Sequence, residues 1–573
     1  MSQRTDGSPL FLHALVEQLL RDGLLTRCDG RWLLQHGFDR VGVPASVREL
    51  IGQHLSRLSK SGRALVEAAS VVGVRFSASS VACALKRQVA ETDSLLAALA
   101  ERRLFIRRCG TTRWPDGTVS SAYEFVHSLY SEVIYRQLPG ALAARWHGRV
   151  GRRLENAFKG RTQEVCFDLA RHFTHAGDYR RAYRYQWQAA ACGLQRQALA
   201  EAYRHLLAAR ASIEQLHPRA VSGADSVAIG CALGATSVAL HGYAARTAVE
   251  AYEWALQRAG SGTTRARVIA SMGLCTALMA SGALDKAHAV ARKIEYLRVN
   301  GRLPKLLSAT AMNPLGQVWF YRGNHRRARQ RFGQELALLR RCQPAIDSPP
   351  LGGLLWIDPF VACSNLFAIS LVLGNRADRG LALMEESLGR ARALGHPFTF
   401  ISALTHAALV HFVCENWEMQ QTCAREALEL ATECGFPFWI STAGILLGHA
   451  LALSGKRAEG LALLERSLEA WTAAGTQLGR PLYHAMLAEA YLSGNEPERA
   501  LGVVQAYLDP AGASEERVHE PYLFGVVAKA EWKLGRKKQT HIWFARAVNV
   551  ATRQQAPYWI RRCSTQLEPR SGR

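Results

Sequence analysis

The sequence predicts a mostly α-helical chain: a winged-helix-like N-terminal module with a short β wing, followed by an α-solenoid of helical hairpins. Three observations predict it. Small turn motifs recur from residue 164 to the C-terminus, between helical segments with apolar residues three and four apart. The first 160 residues carry no such repeat. Within those 160, several helices precede two strand-like runs joined by a Pro-Asp-Gly turn, which is the order of a winged helix.

Taken in order, "TDGSPLFLHALVEQLLRDGLL" begins as a polar turn at Thr5 and continues as an amphipathic helix. "GLLTRCDGRWLL" (23–34) reads as two short strands about an Asp-Gly turn. "VPASVRELIGQHLSRLSKSGRALVEAASVVG" gives two helices, the first capped by Ser46 with Glu49 three residues on, the second starting near Ser59. "SASSVACAL" and "TDSLLAALAERRLF" are two more, the latter capped by Thr92 or Asp93. "LFIRRCGTTRWPDGTVSSAYEFVH" is a strand pair turning at Pro115, Asp116 and Gly117.

The repeat turns are "THAGDYRRA", "MASGALDKA", "FYRGNHRRA", "LVLGNRADRG", "VCENWEMQQ", "LALSGKRAEG", "YLSGNEPERA" and "WKLGRKKQT". Gly282, Gly323, Gly374, Asn416, Gly455, Gly494 and Gly535 recur at steps of about 40 residues, one step being lengthened by the insertion "QPAIDSPPLGG" (343–353). Glycine at the turn permits the left-handed conformation that ends a helix. A small residue just inside the next helix lets the two backbones approach. One hairpin cannot bury its apolar stripe alone, so neighbours must stack into a superhelix. Three segments are expected: the winged-helix module at 1–160, a first helical array at 161–345 and a second at 346–573.

Composition narrows the function classes. The chain has 573 residues, and 71 Lys plus Arg against 47 Asp plus Glu give a net charge of +24. The arginines are spread along the helices as solvated faces would place them, which argues against a nucleic-acid footprint. The 13 cysteines are scattered singly and match no zinc spacing. They are expected to be free, buried thiols of a reducing, cytoplasmic compartment. No apolar stretch of membrane-spanning length is expected. His172 and His175 share a helix face but lack a third ligand, so they are expected to be satisfied surface histidines and no metal site is assigned. "PFTF" and "PFWIS" recur at helix junctions, where they are expected to serve as core.

The turns, with a small or apolar residue, a glycine and then an alanine five residues on, resemble tetratricopeptide repeats with a longer period. "LGHPFTFISALTHAALVHFVCENWEM" and its continuation through "YLSGNEPERAL" resemble the repeat region of bacterial STAND-type ATPases fused to class III adenylate/guanylate cyclase domains. The opening "TDGSPLF" resembles the G-x-P turn that follows the nucleotide-binding core in STAND ATPases, and "YEFVHSLYSEVIYRQLP" the helix that closes that module. The resemblance implies nucleotide contacts at Pro9 and His127. Ser128 stands where family members carry Asp, and no G-x-x-x-x-G-K-[ST] or paired cyclase carboxylates occur. The chain is therefore expected to be no enzyme on its own and to need no cofactor. It is expected to bind a protein or peptide in the solenoid groove, or to serve as part of a split or truncated STAND ATPase or cyclase, docking on a separate P-loop NTPase. A third reading, transcriptional control through the winged helix, rests on Arg102, Arg103, Arg107 and Arg108 near the wing.

Overall fold

The computed structural model describes residues 25–28, 31–34, 45–102, 104–260, 264–342, 357–508 and 515–567. The helix expected behind Thr5, with Pro9 at its turn, and the insertion at 343–353 lie outside the described residues. The chain divides into two compact units, Met1–Gln197 with Ala208–Ala220, and Ala198–Leu207 with Val221–Arg573.

In the first unit β1 (Leu25–Cys28) and β2 (Arg31–Leu34) pair antiparallel with Cys28 opposite Arg31, as the Asp-Gly turn predicts. Helix α1 (Ala45–Ser56) begins before Ser46, which is therefore helical and not a cap, Ala45 being the better helix former. Helix α2 (Lys60–Val72) starts at the expected Ser59, whose Oγ accepts from the Gly62 N–H at 3.1 Å. There follow β3 (Arg75–Ser77), α3 (Ala78–Leu85), α4 (Val89–Glu101), β4 (Ile106–Arg113) and β5 (Val119–Phe125), with antiparallel sheet order β3-β5-β4. In this helix–strand–helix–helix–strand–strand order the β4–β5 hairpin is the wing. Gly117, at φ 85°, closes its turn, and the Trp114 N–H donates to the Thr118 carbonyl at 2.9 Å.

Strand β3 escapes the sequence reading because three residues carry no period. The expected caps of α4 also fail, since the helix begins at Val89. Thr92 turns its hydroxyl back to the Gln88 carbonyl at 2.8 Å. The Asp93 carboxylate instead accepts from Ser121 Oγ (2.8 Å) and the Tyr123 hydroxyl (2.7 Å), fixing α4 to the sheet. Helices α5 (Ser128–Arg136) and α6 (Gly140–Ala157) lead into the first helical hairpin, α7 (Cys166–Ala176) and α8 (Tyr179–Gln195). Leu65, Phe76, Ile106, Tyr123, Val150 and Phe173 share one continuous core. Helix α9 (Leu199–Glu214) contains the division between the units.

The second unit is an all-α, tetratricopeptide-like solenoid. Its hairpins are α10 (Gly223–His241) with α11 (Arg246–Arg258), α12 (Thr264–Ala280) with α13 (Leu284–Asn300), and the broken helix α14 (Lys305–Thr310) and α15 (Asn313–Tyr321) with α16 (His325–Cys342). Next come α17 (Pro359–Leu373) with α18 (Ala377–Leu394), α19 (Pro397–Val413) with α20 (Trp417–Cys434), and α21 (Pro437–Leu453) with α22 (Arg457–Ala473). The last are α23 (Arg480–Ser493) with α24 (Pro497–Val504), α25 (Glu520–Lys533) with α26 (Lys537–Arg553), and the terminal α27 (Pro557–Leu567).

The expectation that no segment reaches membrane-spanning length and apolarity needs correction: among the described residues α10 is one such helix. Ala, Gly, Val and Ser between Asp225 and His241 make it apolar, and 72% of it is buried inside the protein. The first helix of each hairpin is sandwiched between its partner and the next hairpin, so residues all around α17, α19 and α21 are buried. The second helices bury one stripe, as in α18 and α22.

Stacking carries the solenoid round until it meets itself. The Gln477 N–H donates to the Ala280 carbonyl at 2.8 Å, and the Arg517 N–H to the Tyr321 carbonyl at 2.8 Å. Arg562 in α27 reaches the Phe412 carbonyl at 3.1 Å. Helix ends four to five hairpins apart thus form a seam, and the first helices surround an interior.

Candidate functional site

The interior is a cavity of about 1180 Å³, counting its open mouth. Its wall runs from α12 to α23 and the segment before α25. Thr276 and Ala280 come from α12, Phe320 and Tyr321 from α15, and Asn365 and Ile369 from α17. Thr405, Leu409 and Phe412 come from α19, Trp439 from α21, Trp471 from α22 and Tyr483 from α23. A second hollow of about 800 Å³ shares Tyr243, Thr276, Gln317, Ile357 and Ala362 with it. The helices α12, α15 and α19 line the cavity with their C-terminal halves, whereas α21 and α23 line it with their first turns.

The lining is aromatic and almost uncharged. Tyr243 packs edge-on to Phe438 (4.9 Å between ring centroids), Phe438 on Trp471 (4.7 Å) and Trp471 edge-on to Tyr483 (5.1 Å). Such an offset and edge-to-face arrangement is the favoured one for aromatic rings. Among the described residues no Lys, Arg or Asp lines the cavity, and Glu516 is its one acid. Burial raises the Glu516 carboxyl to about 7, against the backbone N–H of Gly479, which donates to Oε2 at 2.7 Å. Burial also holds His406 and His519 neutral, lowering them to about 4 and about 3.

Several buried hydrogen-bonding atoms on this wall have no protein partner among the described residues: Asn365 Oδ1, Trp439 Nε1, Trp471 Nε1, Thr476 Oγ1 and His519 Nδ1. Buried polar atoms in native proteins are almost always paired. An enclosed apolar wall with a few such atoms is the composition of a binding pocket.

The residues singled out from the sequence lie elsewhere. Pro9 is outside the described residues. His127 immediately precedes α5, its ring stacked on Tyr130 at 6.2 Å, and Tyr130 stacks in turn on His54 at 6.4 Å. His172 is not at the surface as expected: it is fully buried, and its Nδ1 lies 2.8 Å from His147 Nδ1. The Tyr135 hydroxyl joins the group, 3.0 Å from His147 Nε2 and 3.3 Å from His175 Nδ1. The sequence offered no sign of His147, which comes from α6. No three metal-ligating side chains converge among the described residues. The "PFTF" and "PFWIS" segments divide: Phe398 is core, while Phe438 and Trp439 pack on that core and also line the cavity.

No protein-family model matches the chain, and no curated protein does. Among solved structures it is similar to a Rap protein complexed with competence and sporulation factor, with TM-score 0.48 and 11% identity over 66% of this chain and 99% of that one. It is also similar to the apo form of the quorum sensor NprR from B. thuringiensis (TM-score 0.37, 12% identity, 60% and 92% covered). A STAND protein with a tetratricopeptide repeat sensor from Pyrococcus horikoshii gives TM-score 0.35 and 12% identity over 99% and 70%. With TM-scores under 0.5, these likenesses carry no functional argument. The cavity itself is the better guide.

Proposed function

We propose that this chain is a non-catalytic signalling or regulatory scaffold that receives a protein or peptide segment inside its solenoid. The observation that carries the reading is the enclosed aromatic cavity with buried hydrogen-bonding atoms left over on its wall. Apolar rings supply affinity by excluding water, and the few polar atoms fix orientation. The resemblance of the opening motifs to the module behind a STAND nucleotide site supports a place beside a linked or separate P-loop NTPase or cyclase.

Peptides selected by display against the full chain test the binding reading. A Leu409→Trp substitution, which fills the cavity from α19, should weaken them at least tenfold without altering the helical circular dichroism. Leu338→Trp, at a partly exposed position on α16 away from the cavity lining, should leave them unchanged. Selected peptides indifferent to Leu409→Trp would mean that the interior is not the binding site.

A further inference from the structure

The wall of the cavity is not uniform in chemistry. At one end the single acid, Glu516, sits among aromatic rings, near enough to Tyr321 and Tyr483 for its charge to act on both hydroxyls. Gly479, whose N–H holds Glu516 Oε2, also abuts the Tyr483 ring, where an added Cβ would come within 3.1 Å. A carboxylate close to two tyrosine hydroxyls suits an organic ammonium ion, which is attracted by the charge and can donate to the hydroxyl oxygens. Three of the leftover groups on the same wall are of two kinds. The indole N–H groups of Trp439 and Trp471 can only donate, so they call for acceptors, while Nδ1 of neutral His519 is free to take an N–H. All three side chains are more than nine-tenths buried.

An ammonium followed by alternating carbonyl acceptors and amide donors is the start of a polypeptide. We propose that the cavity takes the amino-terminal end of an apolar peptide, its ammonium held by Glu516 between Tyr321 and Tyr483 and its first carbonyls on Trp439 and Trp471. The inference rests on the peptide-binding reading above and names which part of the peptide enters. Side chains of the first residues fill the apolar remainder of the cavity, which offers no cation to pair with an acidic residue. Binding has a proton signature. The carboxyl of the empty site is raised to about 7 by burial, so an entering ammonium drives off a proton from the fraction still protonated.

Burial shifts the tyrosines and histidines around Glu516 toward their neutral forms. Tyr321, Tyr483 and Tyr507 are held protonated by burial, and His519 is held neutral. His484, bonded to Tyr507 at 3.2 Å, is lowered by burial, and the Arg480 guanidinium acts on both Tyr507 and His484.

Calorimetric titration of the full chain at pH 7 with leucyl-phenylalanyl-leucinamide, its N-acetyl counterpart and phenethylamine tests the proposal. The free-amine tripeptide should bind at least tenfold more tightly than the acetylated one, and Glu516→Gln should remove that difference. Phenethylamine, lacking the carbonyls, should bind more weakly than the tripeptide; equal affinity would make this a site for small amines and overturn the assignment to a peptide terminus. On the unmodified chain, affinity for the free-amine tripeptide should rise about tenfold between pH 5.5 and 7 as Glu516 ionises, while the acetylated peptide stays flat. This pH series decides the matter even if Glu516→Gln fails to fold. Equal binding of free and acetylated tripeptides, flat with pH, would sink the inference and leave the peptide-binding reading standing. If neither tripeptide binds, and display yields no peptide sensitive to Leu409→Trp, both fall.

Discussion

At the residue scale, the buried histidines of the first unit make folding sensitive to mild acid. His147 and His172 face one another through Nδ1 atoms at 2.8 Å, so one must donate and the other accept. Protonating both would set N–H against N–H. Burial is the main cause lowering His147 to about 3 and His172 well below its usual value, with neighbouring His175 and Arg171 adding to it. A histidine whose folded value is depressed contributes full stability above its unfolded value, near 6.5, and loses it as pH falls toward the folded value. For His147 the loss reaches about 2 kcal/mol at pH 5. Urea unfolding at pH 7.5 and pH 5 should show the first unit weakening by at least this much. His147→Phe should flatten the difference, and an equally steep pH dependence in that variant would place the proton uptake elsewhere. None of this was legible in the sequence. His172 and His175 stood out by spacing, but burial depends on α6 covering α7, and nothing local marks His147.

At the element scale, the hairpin turns were the most legible feature, and their chemistry differs from one to the next. Gly177, Gly282, Gly323, Gly455 and Gly535 adopt the positive φ that ends a helix. In the turns at 374, 416 and 494, however, the left-handed residues are Asn375, Glu415 and Asn495. There Gly374 and Gly494 serve approach instead, since a Cβ would press on the guanidinium groups of Arg329 and Arg457. A small residue just inside the second helix is buried in four of the hairpins, at Ala182, Ala287, Ala328 and Ala500. Gln420 takes that place in one hairpin by donating from Nε2 to the Leu446 carbonyl at 2.8 Å. The tightest crossing is α21 on α22. A Cβ at Gly460 would lie 2.5 Å from the Gly448 carbonyl oxygen and clash with the Ala452 backbone nitrogen, neither of which can move aside. Gly460→Val should therefore cost about 3 kcal/mol or more in denaturant unfolding. Gly389→Ala, in the exposed middle of α18 with nothing near its Cβ, should instead stabilise by about 0.5–1 kcal/mol. If the two substitutions behaved alike, close backbone approach would not be what selects glycine at 460.

At the scale of the whole second unit, function depends on the solenoid meeting itself, and that is the part a linear sequence conceals. Periodicity announces hairpins, but the rotation from one to the next, which decides whether the ends of successive helices touch after five repeats, is set by many small packing choices. The cavity wall therefore gathers Thr276, Phe412 and Glu516 from positions that no local pattern connects. The seam is held at one end by Arg562, which is 2% exposed in its side chain. Its guanidinium lies 4.7 Å from the Phe412 ring centroid, 4.9 Å from that of Tyr522 and 5.6 Å from that of Trp559. It bonds the Phe412 carbonyl and sits 3.2 Å from Glu489 Oε2, which also accepts from the Tyr522 hydroxyl at 2.6 Å. Burial alone would raise Glu489, but Arg562 and His449 outweigh it and keep the carboxylate ionised. Removing the cation leaves that buried charge without its main counter-charge, the case in which a broken pair costs about 3–5 kcal/mol. Arg562→Met should therefore lower the unfolding free energy by that amount and speed hydrogen exchange in α27. Adding Glu489→Gln removes the orphaned charge and should recover most of the loss, because two neutral partners can be nearly as stable as a buried ion pair. Phe412 belongs to the cavity wall as well as to this seam, so peptide affinity should fall in Arg562→Met and return in the double variant. Recovery of stability without recovery of binding would mean that α27 closes the ring without shaping the site.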